Sequence, residues 1–373
     1  MYDVIVVGGG PLGSITSALI ARDDHKVLLL EKQKHPRWKP CGEGISEGGM
    51  QLLKQNDLFE PIQNLLWGIT TVSINILQEN IITKKYDNPV AYTLDRGDFD
   101  HALFKNTQKR GTETHENEKV TDIKIINKDE IIVKTTKEKY KSKLIIGADG
   151  INSIVRKKLF KPWRKNEISP CQVARYKISD KKADFNKRAM EYYFIDGGYG
   201  WVFPKIKDDH LILNVGIGTI NEIKNDLNTI FKNFIELLEH EKKVKLQGRE
   251  IDGEILRHPL PTQGPCKGTY SNSCMLVGDA GGFVNPLTGA GLHYGALSAI
   301  HAAEIAIQYL NGEIDNLSTY ENKWHSDLKH IFDNAMKTRD VLYNSDPIHL
   351  FQHIQSNPLV KKKLFSSFLE GTA

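Results

Sequence analysis

The feature that most constrains the fold is a glycine-rich turn near the amino terminus. Residues 2–7, YDVIVV, form a β-branched run typical of a buried strand, and they lead directly into GGGPLG. The pattern SITSALIARDD then indicates a helix, and KVLLLE indicates a second strand. A strand, a helix and a strand in this order predict a parallel sheet.

Within that turn, Gly8, Gly10 and Gly13 form the pattern G-x-G-x-x-G, and Glu31 ends the second strand. Glycines let the backbone approach a pyrophosphate, the helix N-terminus offers free N–H groups, and the acidic residue accepts hydrogen bonds from ribose. A glycine turn without a ligand is the alternative. Because strand, helix and acidic residue occur together, the pattern predicts a dinucleotide site.

Two later segments indicate which dinucleotide is bound. GADGINSIVR ends a predicted strand with Asp149, and GDAGGFVNPLTGAG places Asp279 just past another. A nicotinamide dinucleotide has no use for these additional acidic strand ends, whereas the ribitol and flavin of FAD extend well beyond the pyrophosphate. We expect Asp279 to bind the ribitol or pyrophosphate side. A helix beginning near Gly291 would point its positive end at the flavin.

Antiparallel strand patterns interrupt the nucleotide-binding pattern. The expected fold is α/β with an α+β insert: a discontinuous, Rossmann-like, three-layer FAD-binding domain, an inserted antiparallel-sheet substrate domain and C-terminal helices. The expected bounds are 1–68, 92–160 and 256–320 for the FAD-binding domain, 69–91 and 161–255 for the substrate domain, and 321–373 for the helical region.

The composition is ordinary for a globular protein, with a formal net charge of +4, and it gives no case for a nucleic-acid partner. No run approaches the ~20 apolar residues that span a bilayer. The first residues lack a secretory signal, so we expect a cytoplasmic protein with reduced thiols. The histidines show no metal-ligand spacing, so no metal is expected. The cysteines are Cys41, Cys171, Cys266 and Cys274.

The three motifs together resemble the para-hydroxybenzoate hydroxylase-like FAD superfamily over nearly the whole chain. Two further blocks, KPCGEGIS and YGWVFP followed by GIG, are similar to signatures of geranylgeranyl reductases. That family has Y-x-W-x-F-P, a spacer and G-x-G. The spacer is slightly longer here, which predicts an extended hairpin turn at 207–210. The matching residues are Tyr199, Trp201, Phe203, Pro204, Gly216 and Gly218.

The resemblance implies an enzyme that hydrogenates C=C bonds of prenyl chains with reduced FAD. The implied substrate is a prenyl-chain lipid such as digeranylgeranylglycerophospholipid, an isoprenoid diphosphate such as geranylgeranyl diphosphate, a quinone tail or a chlorophyll precursor. Because the chain has one dinucleotide fingerprint, the expected electron donor is transiently bound NAD(P)H or a ferredoxin. The alternatives are an FAD-dependent monooxygenase or halogenase on the same scaffold, and a flavin-bearing lipid carrier or electron relay.

The residues expected to bind FAD come from the motifs and the resemblance, in which Arg96 opens a helix and contacts the cofactor. In the first strand–helix–strand unit and the following loop they are Gly8, Gly10, Gly13, Glu31, Lys32, Cys41 and Gly42. Farther along the chain they are Arg96, Val120, Asp149, Gly150, Gly278, Asp279, Gly289, Ala290, Gly291 and Leu292.

Cys41, in KPCGEG, is either a structural thiol in a loop or a residue over the flavin, where it would donate a proton or shape the pocket. The resemblance favours the second role. Gly42 and Gly44 would let the backbone pass close to the flavin, and Gly44 is expected to contact substrate.

Tyr199, Trp201 and Phe203 alternate along a predicted strand and therefore share one face. That face either packs in the core or forms a wall of an apolar substrate pocket, ending at Pro204. A prenyl chain has almost no hydrogen-bonding groups, so its binding depends on burial.

The carboxyl-terminal tail carries apolar residues at helical spacing beside Lys361–Lys363. Such a segment usually packs on its own domain. The alternative is an amphipathic surface that contacts a membrane, which a lipid substrate would favour.

Overall fold

The computed structural model describes residues 1–77, 80–179, 183–195, 197–220, 226–265 and 268–369, so Cys266 lies outside the described part. The strands, in chain order, are β1 (Tyr2–Val7), β2 (Val27–Leu30), β3 (Gly44–Ser46), β4 (Trp67–Ile69), β5 (Thr71–Leu77), β6 (Asn80–Lys85), β7 (Ala91–Thr93), β8 (Glu113–His115), β9 (Val120–Asn127), β10 (Glu130–Thr135), β11 (Lys139–Gly147), β12 (Ser169–Ile178), β13 (Ala189–Ile195), β14 (Gly198–Lys207), β15 (His210–Thr219), β16 (Glu250–Leu260), β17 (Tyr270–Ser271) and β18 (Cys274–Leu276).

The helices connect these strands and form the carboxyl-terminal tail. They are α1 (Pro11–Ala21), α2 (Glu47–Gln55), α3 (Arg96–Lys109), α4 (Ile154–Leu159), α5 (Leu227–Glu241), α6 (Gly278–Gly281), α7 (Leu292–Leu310), α8 (Ser318–Asn344), α9 (Pro347–Ser356) and α10 (Pro358–Leu369). The first helix begins earlier than its apolar pattern, because a proline in the first turn already has a helical φ.

The first sheet has the order β17-β18-β11-β1-β2-β8, and β18, β11, β1, β2 and β8 are parallel. Val4 and Val6 of β1 pack on the side of α1 and α7. Ile5 and Val7 face β9 and β10 on the other side. This is the expected three-layer arrangement, and the loops that follow β1, β2, β11 and β18 gather at one edge of the sheet.

The second sheet has the order β16-β12-β15-β14-β13-β5-β6 and is antiparallel except between β13 and β5. One face packs against α5, and the other packs against the carboxyl-terminal tail. The predicted hairpin turn is present, because Lys207 pairs with His210 while Asp208 and Asp209 have positive φ angles of 49° and 58°. A small third sheet has the order β3-β7-β4. In the sequence its strands occur where the chain passes from one large sheet to the other.

The tail packs on its own chain, as such segments usually do. Ile354, Leu364, Phe365 and Phe368 are buried in the cluster on the second sheet. Within the described residues, every helix is too short or too polar to cross a membrane.

Candidate active site

The glycine turn after β1 fits the close approach of a phosphate-bearing ligand. Gly8 has a φ of +106°, and a Cβ atom there would lie 2.5 Å from the Ala148 carbonyl oxygen. At Gly13 a Cβ atom would lie 1.9 Å from the Gly8 carbonyl oxygen. Since atoms cannot approach so closely, only glycine permits this turn to pack against β11 and α1.

Glu31 is 4% exposed and holds the turn from the end of β2. Its carboxylate accepts hydrogen bonds from the Gly9 N–H at 2.8 Å and the Gln33 N–H at 2.9 Å. Arg37 lies nearby, with Nη2 3.6 Å from Oε2 of Glu31. The acidic residue therefore has a structural role in the loop, where it fixes the glycine turn to the end of β2.

Asp149 and Asp279 lie after β11 and β18, on the same edge. Oδ2 of Asp149 accepts a hydrogen bond from the Ile154 N–H at 2.6 Å, while Oδ1 is shielded from solvent without a partner. Burial raises the pKa of Asp149. Oδ2 of Asp279 lies 3.8 Å from Nζ of Lys39. An unpaired buried carboxylate oxygen beside a glycine cradle fits a ligand that brings hydroxyl donors, as FAD does.

A cavity of about 220 Å³ begins at this edge and extends to the second sheet. The sequence-predicted residues that line it are Gly10, Cys41, Gly42, Gly44, Arg96, Gly150, Tyr199, Trp201, Phe203, Asp279, Gly289, Ala290, Gly291 and Leu292. Behind this lining, in the loops that support it, lie Gly8, Gly13, Glu31, Asp149 and Gly278.

Three sequence-predicted residues lie apart from the cavity lining. Lys32 is exposed. Val120 is 4% exposed and packs with Ile5 and Val7 in the cluster on the far side of the first sheet. Pro204 is buried, and its carbonyl oxygen accepts a hydrogen bond from Oγ1 of Thr93 at 2.5 Å. It ties the aromatic strand to the third sheet.

The aromatic strand β14 presents Tyr199, Trp201 and Phe203 to the cavity. Pairing with β15 places Gly218 opposite Tyr199 and Gly216 opposite Trp201. A Cβ atom at Gly216 would lie 2.2 Å from the Trp201 ring. The G-x-G pair on the second strand therefore makes room for the side chains of the first, which explains why the two patterns occur together.

Further rings extend this wall. The Tyr192 centroid lies 5.3 Å from Phe203 and 5.8 Å from Tyr199, and Phe368 of α10 lies 4.6 Å from Tyr192. The Tyr199 hydroxyl donates to the carbonyl oxygen of Thr288, in the loop before α7. The wall is therefore joined directly to the loop that carries Gly289.

Cys41 lines the cavity, in the loop that precedes β3. Its thiol accepts a hydrogen bond from the Glu43 N–H at 3.3 Å. Arg96, 4% exposed, forms a bidentate pair with Asp100 at 2.7 and 2.9 Å. Burial opposes the charge of Arg96, but Asp100 and the neighbouring Cys41 sulfur raise its pKa above the usual value. A fixed cation thus lies beside the thiol. Cys171 also lines the cavity, and burial raises its pKa to about 12.

A buried polar network under the Cys41 loop escaped the sequence analysis. Glu43 is 1% exposed and accepts hydrogen bonds from Nζ of Lys205 at 2.5 Å and Nδ2 of Asn214 at 3.0 Å. Asn214 also donates to the Cys41 carbonyl oxygen at 2.7 Å and accepts from Nε1 of Trp201 at 2.8 Å. One amide and one carboxylate therefore join the Cys41 loop to the aromatic wall.

Asp95 continues this network at the start of α3. Its Oδ2 lies 3.3 Å from Nζ of both Lys205 and Lys207. Although burial would raise the pKa of Asp95, Lys205, Lys207 and Arg175 lower it to about 2. The charge of each buried group is thereby balanced. The acidic residue of KPCGEG was the available sequence signal, but nothing in the sequence identifies its partners on β14 and β15.

Two histidines of the cavity were also missed. Nε2 of His258 is shielded without a hydrogen-bond partner, and burial together with Lys39 lowers its pKa to about 4. Nδ1 of His293, at the start of α7, lies 3.1 Å from Oγ of Ser46, and burial lowers its pKa to about 4. Both imidazoles are therefore neutral near pH 7. Among the described residues, no cluster of side chains is suited to a metal ion.

Comparisons with known proteins agree with this geometry. Residues 1–201 match the family model described as FAD binding domain. A digeranylgeranylglycerophospholipid reductase from Methanococcus vannielii is 30% identical over 91% of this chain and 86% of its own. The enzyme of the same name from Methanocaldococcus jannaschii is 29% identical over 92% of this chain and 87% of its own.

The fold itself is shared with solved structures. A geranylgeranyl bacteriochlorophyll reductase-like protein from Thermoplasma acidophilum superposes with a TM-score of 0.82 and 24% identity, over 94% of this chain and 90% of its own. A flavin-dependent brominase superposes with a TM-score of 0.77 and 19% identity, over 99% of this chain and 93% of its own. On the identity and coverage of the curated relatives, the chain belongs to the digeranylgeranylglycerophospholipid reductase family of FAD-binding proteins.

Proposed function

We propose that this protein is an FAD-dependent reductase that saturates C=C bonds in geranylgeranyl chains of an isoprenoid lipid, such as digeranylgeranylglycerophospholipid. The observation that carries the proposal is that one cavity is lined both by the glycine turn and the start of α7 and by the aromatic strand β14. The names of the related enzymes support the same reaction and substrate class.

The proposed division of labour follows the two large sheets except at residues 256–260, which continue β16 in the second sheet. The FAD-binding part comprises 1–68, 92–160 and 256–320, the prenyl-binding part 69–91 and 161–255, and the tail 321–373. The turn after β1 would hold the pyrophosphate, with Glu31 near the ribose. Asp279 would hold the ribitol or pyrophosphate side, and the N-terminus of α7 at Gly291 would face the flavin, where its free N–H groups favour negative charge.

Reduced FAD, when bound, supplies a hydride equivalent for the double bond, and a proton must reach the other carbon. The alkene of a prenyl chain is not activated, so the site must exclude water and hold the chain close to the flavin. Tyr199, Trp201 and Phe203 provide an apolar surface for this purpose. Burial contributes about 0.8 kcal/mol per CH₂ group, so a long chain can bind tightly without hydrogen bonds.

Cys41 is proposed to donate the proton or to shape the pocket beside it. Its thiol lies next to the Arg96 guanidinium, which Asp100 holds in place by two hydrogen bonds. Replacement of Cys41 by Ala or Ser is expected to reduce turnover while flavin content stays normal. Unchanged prenyl reduction in both variants would remove the thiol from the mechanism.

The electron donor is proposed to be NAD(P)H or a ferredoxin that meets the flavin transiently. We also propose peripheral membrane contact through α10, where Leu359 is 73% exposed and Lys362 is exposed. The double variant Leu359→Glu/Lys362→Glu should sediment less with anionic phospholipid vesicles than the unmodified protein. Equal sedimentation would contradict contact through this helix.

Expression in a host that makes geranylgeranyl lipids tests the function. Mass spectrometry of the lipids should show a gain of two hydrogen atoms for each reduced double bond. A gain of one oxygen atom would indicate a monooxygenase, and a gain of a halogen atom would indicate a halogenase. Prenyl lipid that copurifies with the protein but is unchanged would indicate a carrier.

A further inference from the structure

The carboxyl-terminal helix α10 supplies part of the cavity wall. Its buried side chains include Leu364, Phe365 and Phe368, which are 4%, 1% and 6% exposed. They pack on the same face of the second sheet as Tyr199 and Trp201. Helix α10 is therefore built into the candidate substrate pocket.

Phe368 is the one described side chain of α10 that lines the cavity. Its ring centroid lies 4.6 Å from Tyr192, 6.0 Å from Tyr199 and 6.4 Å from Phe194, distances at which aromatic rings attract one another. Phe365, almost one turn earlier, is buried as deeply but lies outside the cavity lining. The helix thus uses Phe365 to anchor itself and presents Phe368 to the cavity.

The size of the cavity makes this side chain important. Its volume is about 220 Å³, whereas small-molecule sites usually measure roughly 300–1,000 Å³. Tyr192 and Tyr199 are held by the hydrogen-bonded pairing of β13, β14 and β15. The α10 helix rests on the sheet through packed side chains. Space for a longer apolar chain is therefore gained most readily at Phe368.

We propose that Phe368 forms the end of the prenyl-binding part of the cavity and determines the longest prenyl chain that the site accepts. This inference rests on the proposed reductase function. A smaller side chain at this position lengthens the apolar space beyond Tyr192 and Tyr199, and a larger one shortens it. Selectivity between prenyl chains that differ by one five-carbon unit should change in opposite directions in the two cases.

The experiment uses the full-length FAD-bound protein and its variants Phe368→Ala, Phe368→Trp and Phe365→Ala. Reduction of farnesyl, geranylgeranyl and geranylfarnesyl diphosphate is followed anaerobically with chemically reduced protein. Phe368→Ala should raise the ratio of kcat/KM for geranylfarnesyl over geranylgeranyl about tenfold, the effect of one or two methylenes in an apolar pocket. Phe368→Trp should shift preference towards farnesyl, and Phe365→Ala should leave both ratios unchanged.

Each outcome has a distinct meaning. If the unmodified protein reduces none of the three chains or their phospholipid counterparts, the proposed function fails. If it reduces them and the ratios do not follow the size of residue 368, or if Phe365→Ala shifts them equally, the inference about Phe368 is overturned. Should Phe368→Ala lose flavin or fold poorly, Phe368→Leu and Phe368→Trp provide the same comparison. Dissociation constants for the three diphosphates, measured by quenching of flavin fluorescence, should follow the same order without turnover.

Discussion

The buried ion pair between Glu43 and Lys205 is the most informative place to perturb the site. The two side chains are 1% and 4% exposed, and Nζ of Lys205 lies 2.5 Å from Oε2 of Glu43. Glu43→Gln keeps the shape but removes the charge that balances Lys205. Removing one partner of a buried pair costs roughly 3–5 kcal/mol, and Asp95, 3.3 Å from Lys205, retains part of the interaction. We therefore expect Glu43→Gln to lower the free energy of unfolding by about 3 kcal/mol.

Lys205→Met is expected to lower the free energy of unfolding by a similar amount, because it leaves Glu43 charged and buried. In the double variant Glu43→Gln/Lys205→Met neither side chain carries an unbalanced charge. Replacing a buried pair by neutral groups is often nearly neutral, so the double variant should lose much less than the sum of about 6 kcal/mol that two additive single losses of about 3 kcal/mol predict.

The free energy of unfolding from urea titrations, monitored by flavin and tryptophan fluorescence, measures these differences. Lys207→Met is the matched control on the same strand, because Lys207 and Asp98 are 39% and 42% exposed and exposed pairs contribute about 0–1 kcal/mol. Its second contact, 3.3 Å to Asp95, can be lost while Asp95 stays paired with Lys205. Strictly additive losses in the double variant, or equal losses at Lys205 and Lys207, would refute the assignment of a buried charge-balancing network.

Three further predictions concern the turn, the wall and the pH dependence. Gly13→Ala should abolish flavin binding, measured by absorbance of the purified protein, because its Cβ would lie 1.9 Å from the Gly8 carbonyl oxygen; full flavin content would contradict the cradle. Gly216→Ala should displace the Trp201 ring and raise KM for long prenyl chains more than for short ones, and an equal rise for all lengths would count against a wall. Burial lowers the pKa of His293 from 6.5 to about 4, so the unfolded state takes up the proton first as the pH decreases. The free energy of unfolding should therefore fall by up to about 3 kcal/mol between about pH 6.5 and about pH 4. In thermal unfolding, His293→Gln should flatten this fall, whereas the control His349→Gln, at an exposed position, should not.

Local sequence patterns predicted the parts of the structure that local chemistry determines. The turn at Gly8, the helix after Arg96 and the hairpin at 207–210 follow from glycine spacing, helix periodicity and turn residues. The resemblance to geranylgeranyl reductases is confirmed by the curated relatives. Alternation along β14 correctly predicted that Tyr199 and Trp201 share a face.

The remaining features depend on contacts between distant segments. Glu43 and its partner Lys205 are 162 positions apart in the sequence, and Asn214 and its partner Cys41 are 173 positions apart. No periodic pattern relates residues at such distances. His258 and His293 were set aside because their spacing is wrong for a metal, although burial rather than spacing distinguishes them. Phe368 lies in a tail whose amphipathic pattern indicates a helix but not the surface on which it packs.

Anaerobic single turnover tests the central claim most directly. The purified FAD-bound protein is reduced with dithionite and mixed with digeranylgeranylglycerophospholipid in the absence of oxygen, while flavin absorbance and lipid mass are followed together. The account predicts that the flavin is reoxidised as the lipid gains two hydrogen atoms, with one double bond reduced per flavin. Flavin that remains reduced until oxygen is admitted, with the lipid unchanged or carrying an added oxygen atom, would contradict it.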